Sequence, residues 1–164
     1  MQIATVAGRA GPLEFEQVLG ELYPALVRRL TLVVGDAEEA KDLAQTAYLR
    51  AYESWARFDG RDGRAWLYTI ALRLAFRERR RRSRWRALVT GSPEEAVTWD
   101  PEHASGLWEA LRTLRREERA ALLLNVVDGY TQAEIAGMLG VPSGTVASWV
   151  SRAKAHVRDE IGTE

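Results

Sequence analysis

The chain contains no cysteine and only two histidines among its 164 residues. Without cysteine, a disulfide framework and a thiolate metal site are both excluded. His103 and His156 lie far apart in the sequence and lack the spacing of a ligand pair. We therefore expect no metal site and no cofactor.

Long apolar runs are also missing. The longest, such as AALLLNVV at residues 120–127, are far too short to span a bilayer. The segment at residues 1–15, MQIATVAGRAGPLEF, lacks the basic start and apolar stretch of a signal peptide. These features predict a soluble, cytoplasmic protein that does not insert into a membrane.

The machinery of an enzyme is absent from the sequence as well. It contains no phosphate-binding glycine loop, no recognisable pairing of nucleophile and base, and no inward-facing acidic pair. We therefore expect no catalytic residues and no small-molecule substrate.

A net charge of zero conceals a strong local asymmetry, because 23 basic residues balance 23 acidic ones. Residues 77–86 hold seven arginines and a single acidic residue, Glu78. Residues 87–106 hold four acidic residues and neither lysine nor arginine. A basic block followed directly by an acidic one indicates a function that the total charge hides.

The acidic segment also divides the chain. Residues 87–106 are rich in Gly, Ser, Pro and Thr, and apolar periodicity fades there. This pattern predicts an acidic flexible linker between one domain at residues 12–86 and another at residues 107–161. Neither half shows strand-like alternation, so we expect an all-α fold of two small helical domains.

In the N-terminal half, apolar spacing predicts a helical segment at residues 13–34, interrupted before Pro24. Asp36 is the expected N-cap of a helix that reaches about Phe58, with Glu39 in the capping-box position. After the DGRDG break, another helix is expected to run from Arg64 into the arginine block.

In the C-terminal half, the pattern predicts helices at roughly residues 107–112, 116–128, 131–139 and 143–161. Thr131 and Glu134 have capping-box spacing, and Gly140 suits a left-handed helix end. Ser143 is expected to cap the last helix, or Gly144 to admit the tight turn. Two helices joined by a short glycine-containing turn form a helix-turn-helix.

The second helix of this pair has a solvent face of short polar residues with one cation. Such a face can lie in a major groove and reach base edges and phosphates. The alternative is a helical hairpin that simply packs in a core. The face comprises Ser143, Thr145, Ala147, Ser148, Ser151 and Arg152.

Two stretches resemble a known family. YTQAEIAGMLGVPSGTVASWVSRAKAHVR, with LRTLRREERAALLLNVVDG before it, resembles the C-terminal domain of bacterial RNA polymerase sigma factors. GDAEEAKDLAQTAYLRAYESWARF followed by AWLYTIALRLAFRERRRR resembles the other main sigma domain. The two in this order, joined by a short linker, are similar to the extracytoplasmic-function (ECF) group of the sigma-70 family.

The resemblance implies a sigma factor that binds core RNA polymerase and promoter DNA and directs promoter-specific transcription initiation. Its first domain would dock on the coiled coil of the largest polymerase subunit. The residues implied for this docking are Asp42, Leu43, Gln45, Thr46, Leu49 and Arg50.

The resemblance also implies two sites for promoter DNA. The residues expected at the minus-ten element, where bases stack on rings or guanidinium planes, are Tyr68, Arg73, Arg77, Arg80 and Arg81. The residues expected at the minus-thirty-five element are Ser143, Thr145, Ala147, Ser148, Trp149, Ser151 and Arg152.

The sequence departs from the usual family pattern at four of these positions. Arg73 stands where Asn is usual, and Arg77 where Asp is usual. Ala147 and Trp149 occupy positions that are normally basic. These departures favour minus-ten contacts over minus-thirty-five contacts. Trp149 could pack against DNA sugars or against a neighbouring helix, and the sequence does not decide between them.

The family likeness further implies an anti-sigma partner that masks both domains and holds the protein at the membrane. Without such a partner, we expect it at the nucleoid. The main alternative function is a helix-turn-helix regulator that binds an operator without polymerase. Such a regulator would carry an effector pocket or a dimerisation surface in its N-terminal half, where this chain has a dense arginine block.

Overall fold

The computed structural model describes residues 12–89 and 106–162. Within these ranges every regular element is helical, which confirms the all-α fold class for the part of the chain described. The helices are α1 (Pro12–Leu19), α2 (Tyr23–Val34), α3 (Ala37–Glu53), α4 (Gly63–Val89), α5 (Gly106–Thr113), α6 (Arg116–Val126), α7 (Gln132–Leu139) and α8 (Ser143–Ile161). Short 3-10 turns follow α1 at Gly20–Leu22 and α3 at Trp55–Arg57.

Local sequence signals set most of the helix ends. The Asp36 carboxylate accepts a hydrogen bond of 2.7 Å from the Glu39 amide and confirms Asp36 as the N-cap of α3. Pro24 lies in the first turn of α2, where its missing N–H costs no helical hydrogen bond. Gly35 ends α2 with a φ of 78°, a conformation that favours glycine.

Helix α4 is longer than the sequence predicted. It continues to Val89, so residues 87–89, which were expected in the linker, are helical. Arginine, alanine and leucine are good helix formers, and they carry the helix past the arginine block. Gly106, also expected in the linker, is the first residue of α5. Residues 90–105, the rest of the expected linker, lie outside the described residues.

The four predicted C-terminal helices are all present, with ends within about two residues of expectation. The cap expected from Ser143 is wrong, because Ser143 is already the first residue of α8. Pro142 takes the N-cap position and makes no side-chain cap bond. Proline cannot donate a backbone hydrogen bond, so it suits a site where a helix begins.

One hydrophobic cluster extends through both halves of the molecule. It joins Leu26 and Leu72 of the N-terminal half with Leu124 and Ile135 of the C-terminal half. Helix α4 packs against α7, and α2 packs against α6. The two predicted domains are therefore in direct contact and share a core.

Candidate nucleic-acid interface

Helix α3 presents a continuous exposed face. Leu43 alone among the six expected docking residues is buried, and it belongs to the core. Leu49 keeps 64% of its surface exposed although it is a large apolar residue. The exposed residues of the face are Asp42, Gln45, Thr46, Leu49 and Arg50.

The second half of α4 carries a dense array of guanidinium groups. Arg77, Arg80 and Arg81, which the family resemblance implies for DNA contact, are exposed there. Glu78 lies among them, and a hydrogen bond from Arg81 lowers the pKa of its carboxyl. Glu117 also pairs with Arg79 at 3.0 Å, and Glu39 lies 3.8 Å from Arg82. The arginines still outnumber these carboxylates, so the array remains basic and suits a phosphate backbone.

Two of the expected minus-ten residues are engaged elsewhere in this structure. Tyr68 is only 3% exposed and lies in the shared core. Arg73 donates hydrogen bonds of 2.9 Å to the carbonyl oxygens of Gly137 and Met138 in α7. Tyr68 is therefore inaccessible to DNA in this arrangement, whereas Arg73 remains exposed beside α7.

Helix α7 of the helix-turn-helix has the caps that the sequence predicted at both of its ends. The Thr131 hydroxyl accepts a hydrogen bond from the Glu134 amide, and the Glu134 carboxylate accepts one from the Thr131 amide. Gly140 ends α7 with a φ of 68°.

Helix α8 exposes fewer cations than α4. Ser143, Ser148, Ser151 and Arg152 are exposed, and Thr145 and Ala147 are half-buried. The Arg152 guanidinium donates a hydrogen bond of 3.1 Å to Glu118.

Trp149 packs against the shared hydrophobic cluster. The structure thus favours the neighbouring-helix alternative for this side chain.

Three arginines cap helix ends across the boundary between the halves. In addition to Arg73, Arg64 donates to the carbonyl oxygen of Asp128, just after α6, at 2.9 Å and to the Tyr130 hydroxyl at 3.1 Å. Arg119 donates at 2.6 and 2.9 Å to the carbonyl oxygen of Val33 near the end of α2. The last carbonyls of a helix lack helical partners and carry partial negative charge, so they suit a guanidinium.

Ion pairs join the same two halves. Arg116 of α6 contacts both carboxylate oxygens of Glu39 at 3.0 and 3.1 Å. Arg29 of α2 lies 2.8 Å from Asp128, and both side chains are largely buried. Sequence reasoning did not identify these residues, because each pairs with a partner distant in the chain and no local spacing marks it.

Residues 12–89 and 106–162 contain no group of three metal-ligating side chains in reach of one ion. They also contain no helix long and apolar enough to cross a bilayer.

Each half of the chain matches a different known family. The Sigma-70 region 2 family matches residues 18–85. The Sigma-70 region 4 family matches residues 105–157.

Two curated relatives cover nearly the whole chain. The ECF RNA polymerase sigma factor SigL of Mycobacterium tuberculosis is 32% identical over 158 residues, which cover 89% of both chains. The RNA polymerase sigma-E factor of Streptomyces coelicolor is 30% identical over 159 residues, which cover 91% of this chain and 86% of the relative.

Solved structures show the same fold. The sigma factor RpoE of Bartonella quintana, crystallised with the anti-sigma factor NepR, is 27% identical and matches with a TM-score of 0.78. The match covers 92% of this chain and 98% of RpoE. CnrH, in complex with the cytosolic domain of CnrY, matches with a TM-score of 0.64 at 23% identity.

Proposed function

Because the chain belongs to the sigma-70 family, in its extracytoplasmic-function group, we propose that it binds core RNA polymerase through the exposed face of α3. The protein is a sigma factor that directs promoter-specific transcription initiation. The observation that carries this conclusion is the pair of matches, region 2 at residues 18–85 and region 4 at residues 105–157, in one chain. The protein binds, and the phosphoryl-transfer chemistry belongs to the polymerase.

The docking surface on α3 combines one exposed apolar side chain with polar neighbours. Leu49 offers an apolar anchor, and Asp42, Gln45 and Arg50 surround it with hydrogen-bonding groups. An apolar centre within a polar rim is typical of protein interfaces.

The docking proposal is tested by co-purification with core polymerase. Leu49→Glu should weaken binding about tenfold or more, because it places a charge at the anchor. Val18→Glu makes the same change at an exposed apolar residue of α1 and should leave binding unchanged. Equal binding by the two variants would refute docking through this face.

At the promoter, we assign the minus-ten element to α4 and the minus-thirty-five element to α8. The charge distribution supports a heavier reliance on α4, where Arg77, Arg80 and Arg81 are exposed. On α8, the Arg152 guanidinium donates a hydrogen bond to Glu118, and Trp149 packs against the shared hydrophobic cluster. The minus-thirty-five contact should therefore be the weaker one.

Run-off transcription with core polymerase tests this division. Promoters in which one element is scrambled should lose more transcription when the minus-ten element is changed. An equal or greater loss from the minus-thirty-five element would contradict the division. Operator-like binding to duplex DNA without polymerase would instead support the alternative of an independent regulator.

We further propose that an anti-sigma factor binds this protein across both halves. RpoE, which was crystallised with NepR, matches 92% of this chain in one superposition. The two halves of RpoE are therefore placed relative to each other much as the two halves of this protein are. Such a partner, if anchored in a membrane, would hold the protein there, and its release would let the protein reach the nucleoid. Pull-down of a NepR-like protein by the purified chain tests this proposal.

A further inference from the structure

The last part of α4, residues 80–89, is exposed along its whole length. Earlier in the helix, Leu72 and Phe76 are buried in the core, but no residue of α4 after Arg79 is buried or half-buried. A helical segment of this length extends about 15 Å along its axis. Because such a short helix is marginal without packing, the end of α4 can unwind at little cost in free energy.

Ser83 is the only residue with a hydroxyl group in this exposed segment. Four consecutive arginines precede it, and Arg84 and Arg86 follow it. No other serine in the sequence has an arginine among the three residues before it. Ser83 therefore combines an accessible hydroxyl with a dense set of neighbouring cations.

A second hydroxyl group in the sequence has similar arginine spacing, but it is not accessible. Thr31 follows Arg28 and Arg29. Its side chain is half-buried in α2, where the hydroxyl donates a hydrogen bond of 2.8 Å to the Val27 carbonyl oxygen. Helix α2 packs against α3, α4 and α6, so exposure of this hydroxyl would disrupt the core. Of the two hydroxyl groups, that of Ser83 alone is open to the active site of another protein.

Arg80 and Arg81 stand three and two residues before Ser83, and both side chains are exposed. Kinases that select arginine before the acceptor hydroxyl bind such guanidinium groups with carboxylates of their own. Arg81 donates a hydrogen bond of 3.1 Å to Glu78 at the surface. Exposed pairs of this kind contribute little stability, so a kinase carboxylate can replace Glu78. The end of α4 thus has the charge and the accessibility of a kinase substrate.

We propose that Ser83 is a phosphorylation site for an arginine-directed serine/threonine kinase, and that its phosphate weakens the binding of α4 to DNA. In this reaction the Ser83 Oγ attacks the γ-phosphorus of a nucleoside triphosphate. The Oγ–P bond forms as the bond to the β–γ bridging oxygen breaks. The nucleoside diphosphate leaves with that electron pair, and a base of the kinase takes the hydroxyl proton. The effect on DNA binding rests on the proposed function, whereas the modification itself does not.

The phosphate changes the charge of the arginine array. Residues 77–86 carry a net charge of +6, and a phosphoserine adds about −1.5 to −2 near neutral pH. Arg80 and Arg86 each lie one helical turn from Ser83 and can pair with its phosphate. Each such pair removes a guanidinium group from contact with DNA. Since DNA affinity depends on how many phosphates the protein neutralises, the modified protein should bind more weakly.

The site is tested with the purified full chain, a nucleoside triphosphate and a serine/threonine kinase that selects arginine two and three residues before the acceptor. Cleavage after glutamate releases residues 79–94 as one peptide, and fragmentation mass spectrometry should locate the phosphate at Ser83. Ser83→Ala should abolish incorporation. Thr31→Val removes the other hydroxyl with this spacing and should leave incorporation unchanged. Phosphate at another residue, or incorporation by Ser83→Ala at the wild-type level, would overturn the assignment.

The dependence on the preceding arginines has a matched control. Arg80→Gln should lower the rate of incorporation about tenfold or more, because the kinase loses a charge-assisted contact. Arg77→Gln removes the same charge six residues before Ser83 and should leave the rate near that of the wild type. Equal rates for the two variants would contradict recognition through the adjacent arginines. Circular dichroism verifies that both variants remain helical.

The effect of the phosphate is measured by salt elution from heparin, a sulfated polyanion. The phosphorylated wild type should elute at a lower salt concentration than the unmodified protein, whereas kinase-treated Ser83→Ala should elute unchanged. With core polymerase, phosphorylation should lower promoter affinity about tenfold or more. Unaltered elution together with unaltered promoter affinity would overturn the effect on DNA binding.

The two readouts separate this site from the proposed function. Failure of the unmodified wild type to form a promoter complex with core polymerase would count against the proposed function. Elution from heparin would still decide whether the phosphate weakens the binding of polyanions. Phosphate at Ser83 together with earlier elution supports the site in either case.

Discussion

Arg119 is 1% exposed, and its guanidinium is satisfied by carbonyl oxygens at the ends of two helices. Val33 of α2 accepts two of its N–H groups, and Leu111 of α5 accepts another at 3.1 Å. Burial lowers the pKa of Arg119 to about 10, and the nearby Arg116 charge acts in the same direction. The group therefore remains charged near neutral pH, and the helix ends supply the compensating negative potential.

Replacing Arg119 should be costly because two buried carbonyls would lose their donors. We expect Arg119→Met to lower the free energy of unfolding by about 2 kcal/mol. Arg115→Met, at an exposed neighbour paired with Glu118, should cost less than about 0.5 kcal/mol. Urea denaturation measures both, and equal losses would contradict a structural role for Arg119.

Tyr48 links stability to alkaline pH. Burial raises its pKa to about 12, with a further contribution from a hydrogen bond with Glu16. The unfolded tyrosine ionises near pH 10, so this stabilisation is complete below about pH 10 and is lost as the pH rises towards 12. Tyr48→Phe retains the ring contact with Phe15 at 4.9 Å. It should show a smaller loss of unfolding free energy between about pH 9 and pH 11 than the wild type does. An identical loss would refute this assignment.

At the scale of the element, α7 is a helix of eight residues whose start depends on local bonds. A helix this short is marginal by itself, so its capping box and packing must hold it. Its position matters because α8 leaves from its end at Gly140. A weakened α7 would therefore also displace α8, the second helix of the helix-turn-helix.

Removing the side-chain cap at the start of α7 should lower the stability of the protein. Thr131→Ala is expected to lower the free energy of unfolding by about 1 kcal/mol, because the Glu134 amide loses its acceptor. Gln132→Ala changes an exposed helical residue beside the cap and should have almost no effect. Chemical denaturation gives the free energy of unfolding of both variants. Equal values would show that the Thr131 cap does not stabilise α7.

At the scale of the molecule, the halves are joined by buried ion pairs between residues far apart in sequence. Arg116 and Glu39 are separated by 77 positions, and their side chains are 8% and 14% exposed. A charge left unpaired at such a site is strongly destabilising, whereas removal of both charges is much less so.

A double-mutant cycle tests this contact. We expect Glu39→Gln to lower the free energy of unfolding by about 3 kcal/mol, since it removes the carboxylate that both Arg116 and Arg82 contact. Adding Arg116→Met should recover part of that loss, with a coupling of at least about 1 kcal/mol. Strictly additive effects in urea denaturation would show that the two side chains do not stabilise each other across the halves.

The helices were predictable from sequence because their signals are local. Asp36, Thr131 and Gly140 act within four residues of their own positions, and the structure confirms all three. The burial of Tyr68 was not predictable. Helix α4 packs on α3 and on α7 at once, so its apolar surface is wider than a single seam.

The contacts between the two halves leave no local signal in the sequence. An arginine that binds a backbone carbonyl has no complementary residue type to search for, as Arg73 and Arg119 illustrate. The exposed face of α3 was expected from family likeness, and the structure places all of it except Leu43 at the surface. Its use by polymerase stays a prediction.

Carbonyl acceptors also affect how this protein can evolve. The oxygens that bind Arg64 and Arg73 belong to the main chain, which no single codon change removes. Selection can therefore adjust these hydrogen bonds through the arginines alone, without a compensating change in the other half. A substitution at position 73 changes this contact while its acceptors in α7 stay in place.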